Sequence, residues 1–114
     1  MSWKFFNGKL IAPDGRSWSA RSGDWGKGHL PNGDYRIGST TAIASASNAS
    51  FRDPCNFAWW CPLTPMFPTG RTSLGIHPDG GVPGTEGCIG ISDDDTRSAY
   101  DALRNSKGDT LSVK

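Results

Sequence analysis

The sequence predicts a mainly β domain with one helix in its C-terminal half. Early two-residue hairpin signals, a glycine- and proline-rich composition and a single amphipathic segment near the end point to it. With 15 glycines and 8 prolines in 114 residues, turns take a large share of the chain. Short strands suit that composition better than a helical bundle. A chain of this length builds one core, so residues 1–114 read as a single domain.

The elements follow in order. Trp3 to Asn7 and Lys9 to Ala12 are short strand segments across Asn7-Gly8, a strong hairpin dipeptide. Asp14-Gly15 supplies the next turn, and Arg16 to Arg21 alternates as a strand does. Ser22 to Gly33 reads as a loop, and Asp34 to Ile37 resumes a strand. Ala42 to Ser50 is small and polar and is assigned no element. Pro54 to Gly70 holds four prolines among Phe57, Trp59, Trp60 and Phe67. Because each proline removes a ladder donor, this segment is expected to be an aromatic loop and not a central strand. Arg71 to His77 and Cys88 to Ile91 read as strands on either side of a turn from Pro78 to Gly84. Asp93 to Arg104 reads as the helix, with Ser92 as its N-cap, acidic residues in its first turn and Ala99, Tyr100 and Leu103 on its apolar face. Gly108-Asp109 then turns the chain into a last strand, Thr110 to Val113.

Charge and hydropathy exclude several classes. A net charge of +1 with no basic stripe argues against nucleic acid as a partner. No stretch approaches the roughly 20 apolar residues of a membrane span, so no membrane insertion is expected. The N-terminal residues lack the apolar core of a signal peptide, which predicts synthesis in the cytoplasm and, for any work outside, delivery by other means. His29 and His77 stand apart and there is no C-x-x-C, so no metal or other cofactor is expected.

Three cysteines cannot all pair. Cys55 and Cys61 flank an aromatic run and suit either a local disulfide or two thiols, which leaves Cys88 over. A thiol becomes a useful nucleophile when a base stands beside it, and a neutral imidazole is the usual base. His77 ends one apolar segment and Cys88 opens the next after a glycine-rich connection. If the two segments pair, both side chains come to one face. Gly87 lets the backbone approach a substrate carbonyl, so the amides of Gly87 and Cys88 are candidates for an oxyanion hole. The order, histidine before cysteine, is opposite to that of papain-like and NlpC/P60-type peptidases.

These residues resemble a known family. Gly75-Ile-His77 with Gly87-Cys-Ile89 is similar to the active-site signature of YkuD-type L,D-transpeptidases. Leu30 to Ile37 and Gly108 to Val113 resemble two further strands of that family, so the likeness runs from about Leu30 to the C-terminus. The segment from Gly70 to Ile91 is closer still to the compact L,D-transpeptidase effectors of type VI secretion, and similar short domains occur in phages. The resemblance implies a small β-sandwich or barrel that acts on peptidoglycan stem peptides in the periplasm. Cys88 would be the nucleophile and His77 its base, with an immunity protein, a secretion system or a phage apparatus as further partners. Two departures stand out. Thr85-Glu86-Gly87-Cys88 lacks the family's second histidine, and Gly90 replaces an arginine that usually clamps a carboxylate. Arg71 is the expected substitute for that clamp. Ser73, Glu86, Trp59 and Trp60 are expected to bind substrate, and Ser73, Asp79, Asp93 or a backbone carbonyl to orient His77. Cleavage as a carboxypeptidase or endopeptidase and transfer to an amine remain equally open. Competing readings are a non-catalytic wall-binding module that stacks Trp18, Trp25, Trp59 and Trp60 on sugar, a structural phage or secretion component, and a thiol peptidase acting on protein.

Overall fold

A computed structural model describes residues 2–23, 30–42, 57–70, 74–78, 85–93 and 96–114. Nine strands and one helix lie among them: β1 (Ser2–Phe6), β2 (Lys9–Ile11), β3 (Ser17–Gly23), β4 (Gly33–Ile37), β5 (Thr41–Ala42), β6 (Trp59–Pro65), β7 (Gly75–Pro78), β8 (Thr85–Ile91), α1 (Arg97–Arg104) and β9 (Thr110–Val113). The expected mainly β fold with one late helix is what forms.

Local chemistry sets the first strands. Asn7 and Gly8 adopt φ of 55° and 76°, the positive pair that lets a two-residue turn follow the twist of its strands. β1 therefore pairs with β2 and β2 with β3, antiparallel throughout. Alternation along β1 turns Trp3 and Phe5 inward and leaves Ser2, Lys4 and Phe6 exposed. The strand order is β4-β9-β1-β2-β3-β8-β7-β6-β5, and a further β4–β6 pairing closes the sheet on itself. The result is an eight-stranded barrel in which β5 continues the edge begun by β4. Closure removes the open edges that would otherwise template aggregation.

The interior is one apolar cluster that includes Trp3, Trp18, Tyr35, Trp59, Cys61, Ile76, Ile89, Ile91 and Leu111. Trp3 and Trp18 stack within it at 5.9 Å between ring centroids. α1 closes one end by burying Ala99, Ala102 and Leu103. Two inward-facing tryptophans tie its start to the barrel: Trp59 Nε1 donates to Thr96 Oγ1 at 2.8 Å, and Trp18 Nε1 to Ser98 Oγ at 2.9 Å.

Two expectations are corrected. The aromatic, proline-rich segment is not a loop over its whole length, because Trp59–Pro65 forms β6, paired with β7 on one side and with β4 and β5 on the other. Pro62 is tolerated because of where its missing donor falls. Its carbonyl accepts from the Gly38 amide at 2.9 Å, so its nitrogen faces the interval between β4 and β5 where regular pairing is interrupted. The neighbouring Leu63 amide, which points the other way, still donates to the Leu74 carbonyl. The helix also starts later than expected. The Ser92 amide is spent on the Ser19 carbonyl, prolonging the β3–β8 ladder, and Thr96 takes the N-cap position of a helix with no acidic residue in its first turn.

Candidate active site

The strands that carry the expected nucleophile and base pair directly, and they run parallel: Ile76↔Ile89, His77↔Gly90 and Pro78↔Ile91. Ile76, Ile89 and Ile91 fill the core, so alternation puts His77 and Gly90 on the opposite face, and Cys88 precedes Ile89 at the irregular end of β8. Cys88 is buried, yet it does not belong to the core cluster, whereas Cys61 does. The pairing brings His77 and Cys88 to adjacent strands.

β8 is irregular where Cys88 sits. β3 pairs as Ala20↔Ile91, Arg21↔Gly90 and Ser22↔Ile89, and then Gly23 pairs with Thr85. Glu86, Gly87 and Cys88 are therefore extra residues opposite a single step of β3. Such a bulge bends the strand and re-aims its residues, and bulges recur beside active sites.

His77 is 5% exposed, and its Nδ1 lies 2.7 Å from the carbonyl oxygen of Pro78. A carbonyl only accepts, so Nδ1 carries the proton and donates, and the basic lone pair of the ring is on Nε2. Burial pushes the His77 pKa below its ordinary value, with the Pro78 hydrogen bond working the other way. A neutral imidazole at neutral pH follows. Of the orienting groups considered from sequence, the backbone carbonyl is the one seen. Asp79 lies outside the described residues, and Asp93 sits two residues beyond β8.

Trp60 flanks the histidine. The β6–β7 register places it across from His77, and the two rings stack at 5.9 Å with 19° between their planes. Gly75 makes this possible: a Cβ there would sit 2.5 Å from two atoms of the indole. The indole therefore lies over Gly75 and beside His77, on the β6 side of β7.

The other expected site residues divide. Trp59 is fully buried in the core and serves the fold, which removes it from a substrate groove. Trp18 is buried as well, so a sugar platform built on Trp18 and Trp59 is not available. Arg71, Ser73, Trp25, His29 and Cys55 lie outside the described residues, as does the side chain of Glu86. No group of three or more metal-ligating side chains occurs among the described residues. Cys61 and Cys88 are free of disulfides, and burial pushes the Cys61 thiol up to about 11. Sequence reasoning did not single out Arg21, which the inward alternation of Trp18, Ala20 and Ser22 turns to the outer face of β3.

Comparison of folds gives a consistent answer. The chain superposes on L,D-transpeptidase 1 of Mycobacterium tuberculosis with 16% identity and a TM-score of 0.59, covering 98% of this chain and 57% of that one. It matches a cysteine-to-serine mutant of the Enterococcus faecium L,D-transpeptidase at 15% identity and 0.61, over 99% and 48% of the two chains. An L,D-transpeptidase from Stackebrandtia nassauensis gives 18% and 0.58, over 99% and 54%. No family model matches the chain, and no curated protein matches its sequence. The chain has the L,D-transpeptidase fold. The likeness takes in the N-terminal hairpins as well as the segment from Leu30 onward, and the chain spans about half the length of these solved structures.

Proposed function

We propose that this protein is a cysteine enzyme acting on peptidoglycan stem peptides. The observation that supports the reading is the pairing of β7 with β8, the adjacent strands that carry His77 and Cys88, in an L,D-transpeptidase fold where His77 Nδ1 donates to the Pro78 carbonyl. Cys88 Sγ attacks an amide carbonyl of the stem, and His77 Nε2 takes the thiol proton. The amides of Gly87 and Cys88, at the bulge in β8, are the donors for the oxyanion. Collapse breaks the C–N bond, His77 returns the proton to the departing amine, and a thioester on Cys88 remains. Water then gives hydrolysis, and an incoming amine gives transfer; either regenerates the thiol.

The substrate puts the work of the protein in the cell wall. An antibacterial effector, matched by an immunity protein in its producer, or a phage lysis enzyme would use such chemistry. The resemblance of Gly70 to Ile91 to the compact effectors supports that setting. One structural neighbour, L,D-transpeptidase 3 of Mycobacterium tuberculosis, is in complex with a faropenem-derived adduct. On the present reading the same penem acylates Cys88.

Purified sacculi digested with the wild type and with Cys88→Ala, followed by mass spectrometry of the muropeptides, test the proposal. Shortened stems, opened cross-links or amino-acid exchange by the wild type alone are expected. Identical, untouched profiles from both proteins would overturn it.

A further inference from the structure

The first hairpin carries a cationic pair and an apolar pair on its outer face. Trp3, Phe5 and Leu10 fill the core, so alternation turns Lys4 and Phe6 of β1 and Lys9 and Ile11 of β2 outward. The register pairs Lys4 with Ile11 and Phe6 with Lys9. The four side chains form a checkerboard, with the lysines on one diagonal and the apolar residues on the other. Facing residues of paired strands lie about 5 Å apart and diagonal ones about 7–8 Å, so all four share one patch. Phe6 is 55% exposed, the most of any large apolar side chain among the described residues, and Ile11 is half-buried. β9 and β3 flank the hairpin inside a closed sheet, so its lysines do not serve to blunt an open edge.

Neither lysine makes an ion pair among the described residues. Across the strands on either side they meet Ser112 of β9 and Ser19 of β3. Asp34 lies in the row of Lys4 but beyond Ser112, and it accepts from Ser112 Oγ at 2.8 Å. Asp14, in the turn after β2, is paired with Arg16.

Such a surface matches a partner that is anionic and apolar within a few ångströms. A bilayer with anionic lipids has both, with phosphates for the ammonium groups and an acyl boundary for the exposed ring. A purely ionic polymer would engage the lysines and leave Phe6 in water. We propose that the outer face of β1 and β2 docks this protein peripherally on an anionic lipid bilayer. The lysine stems lie along Phe6 and Ile11, which keeps their heads at the level of the phosphates while the ring goes deeper. In the closed order β4-β9-β1-β2-β3-β8-β7-β6, β7 is four strands from β1 in either direction. Docking through β1 therefore turns the strand of His77 away from the bilayer. That this side meets the cell wall rests on the function proposed above; the docking itself does not.

Cosedimentation with vesicles tests the docking without any reaction. The probes are vesicles of phosphatidylcholine alone and of phosphatidylcholine with an equal part of phosphatidylglycerol, each at low and at high salt. The wild type should sediment with the anionic vesicles at low salt and stay in solution with the neutral ones. Lys4→Gln combined with Lys9→Gln should weaken binding roughly 30-fold, about a factor of five for each lysine near an anionic surface. Phe6→Ser should weaken it roughly tenfold through lost apolar burial. These side chains are exposed, so the variants should keep the wild-type circular dichroism spectrum and melting temperature. Lys107→Gln, an exposed lysine beyond α1, should bind as the wild type does. A wild type that leaves the anionic vesicles alone overturns the proposal, as does undiminished binding by the lysine and Phe6 variants. Retention on purified sacculi that needs Lys4 and Lys9 but not Phe6, with no binding to vesicles, overturns it in favour of an anionic wall polymer. Untouched muropeptides in the sacculus digestion would remove the catalytic reading and leave a positive vesicle result standing.

Discussion

Replacing Gly75 by alanine tests how the base is held. The added Cβ would meet the Trp60 indole at 2.5 Å and the carbonyl oxygen of Cys61 at 2.7 Å. Comfortable contacts between carbon atoms begin at about 3.5 Å, so β7 must move away from β6 or the indole must leave its place over the strand. Overpacking of this kind costs about 1–3 kcal/mol. In a domain of about this size, that lowers Tm by roughly 4 °C or more. His77 lies two residues along the same strand, and a shift of about 1 Å at a reacting group costs on the order of 100-fold in rate. Thermal unfolding by circular dichroism and kcat/KM on a stem tetrapeptide read the two effects. Adding Trp60→Leu to Gly75→Ala removes the indole clash but not the one with the Cys61 carbonyl. The double variant should regain part of its stability and none of its activity, because the imidazole has lost its stacking partner. Wild-type melting and turnover in Gly75→Ala would refute this reasoning, as would full turnover in Trp60→Leu alone.

Further outcomes are expected at His77, Cys61 and Trp59. Burial lowers the His77 pKa, so the acid limb of the pH–rate profile should have its midpoint below the ordinary histidine value of about 6.5. The unfolded chain takes up that proton at higher pH than the folded one. The associated stability is therefore complete above about pH 6.5 and lost as pH falls through the lowered folded value. Urea unfolding of the wild type and His77→Gln at about pH 5 and about pH 8 should show a smaller acid loss in the variant, and equal losses would count against it. Cys61, with its thiol pushed up to about 11, should resist iodoacetamide at mildly alkaline pH while Cys88 reacts, and peptide mapping that finds Cys61 modified first would contradict the assignment. Trp59→Phe breaks the hydrogen bond to Thr96 Oγ1 inside the core and should cost about 1–3 kcal/mol in denaturant unfolding while kcat/KM is kept.

What the sequence made legible was local. Asn7-Gly8 forms its turn from two positive φ angles that the dipeptide itself favours, and the first hairpin could be read directly. The His77 and Cys88 pair was legible because both residues sit in one contiguous, unusual segment. What stayed hidden depended on partners far along the chain. Pro62 disqualified β6 only so long as the side its nitrogen faces was unknown, and that side is set by Gly38. Ser92 looked like an N-cap because its amide's engagement with Ser19 could not be seen in the sequence. Trp59 and Trp60 are adjacent and chemically alike, yet strand alternation sends one to the core and the other to His77. Arg21 comes opposite Gly90 only through the β3–β8 register, which spans most of the chain.

The central claim is that Cys88, served by His77, is acylated by substrate. The most direct test is acid-quenched intact mass spectrometry with peptide mapping after mixing a stem tetrapeptide with the wild type, Cys88→Ala and His77→Gln. The account predicts an acyl adduct on Cys88 in the wild type, its absence in Cys88→Ala, and much slower formation in His77→Gln. Continued cleavage by Cys88→Ala, or an adduct carried on another residue, would contradict it.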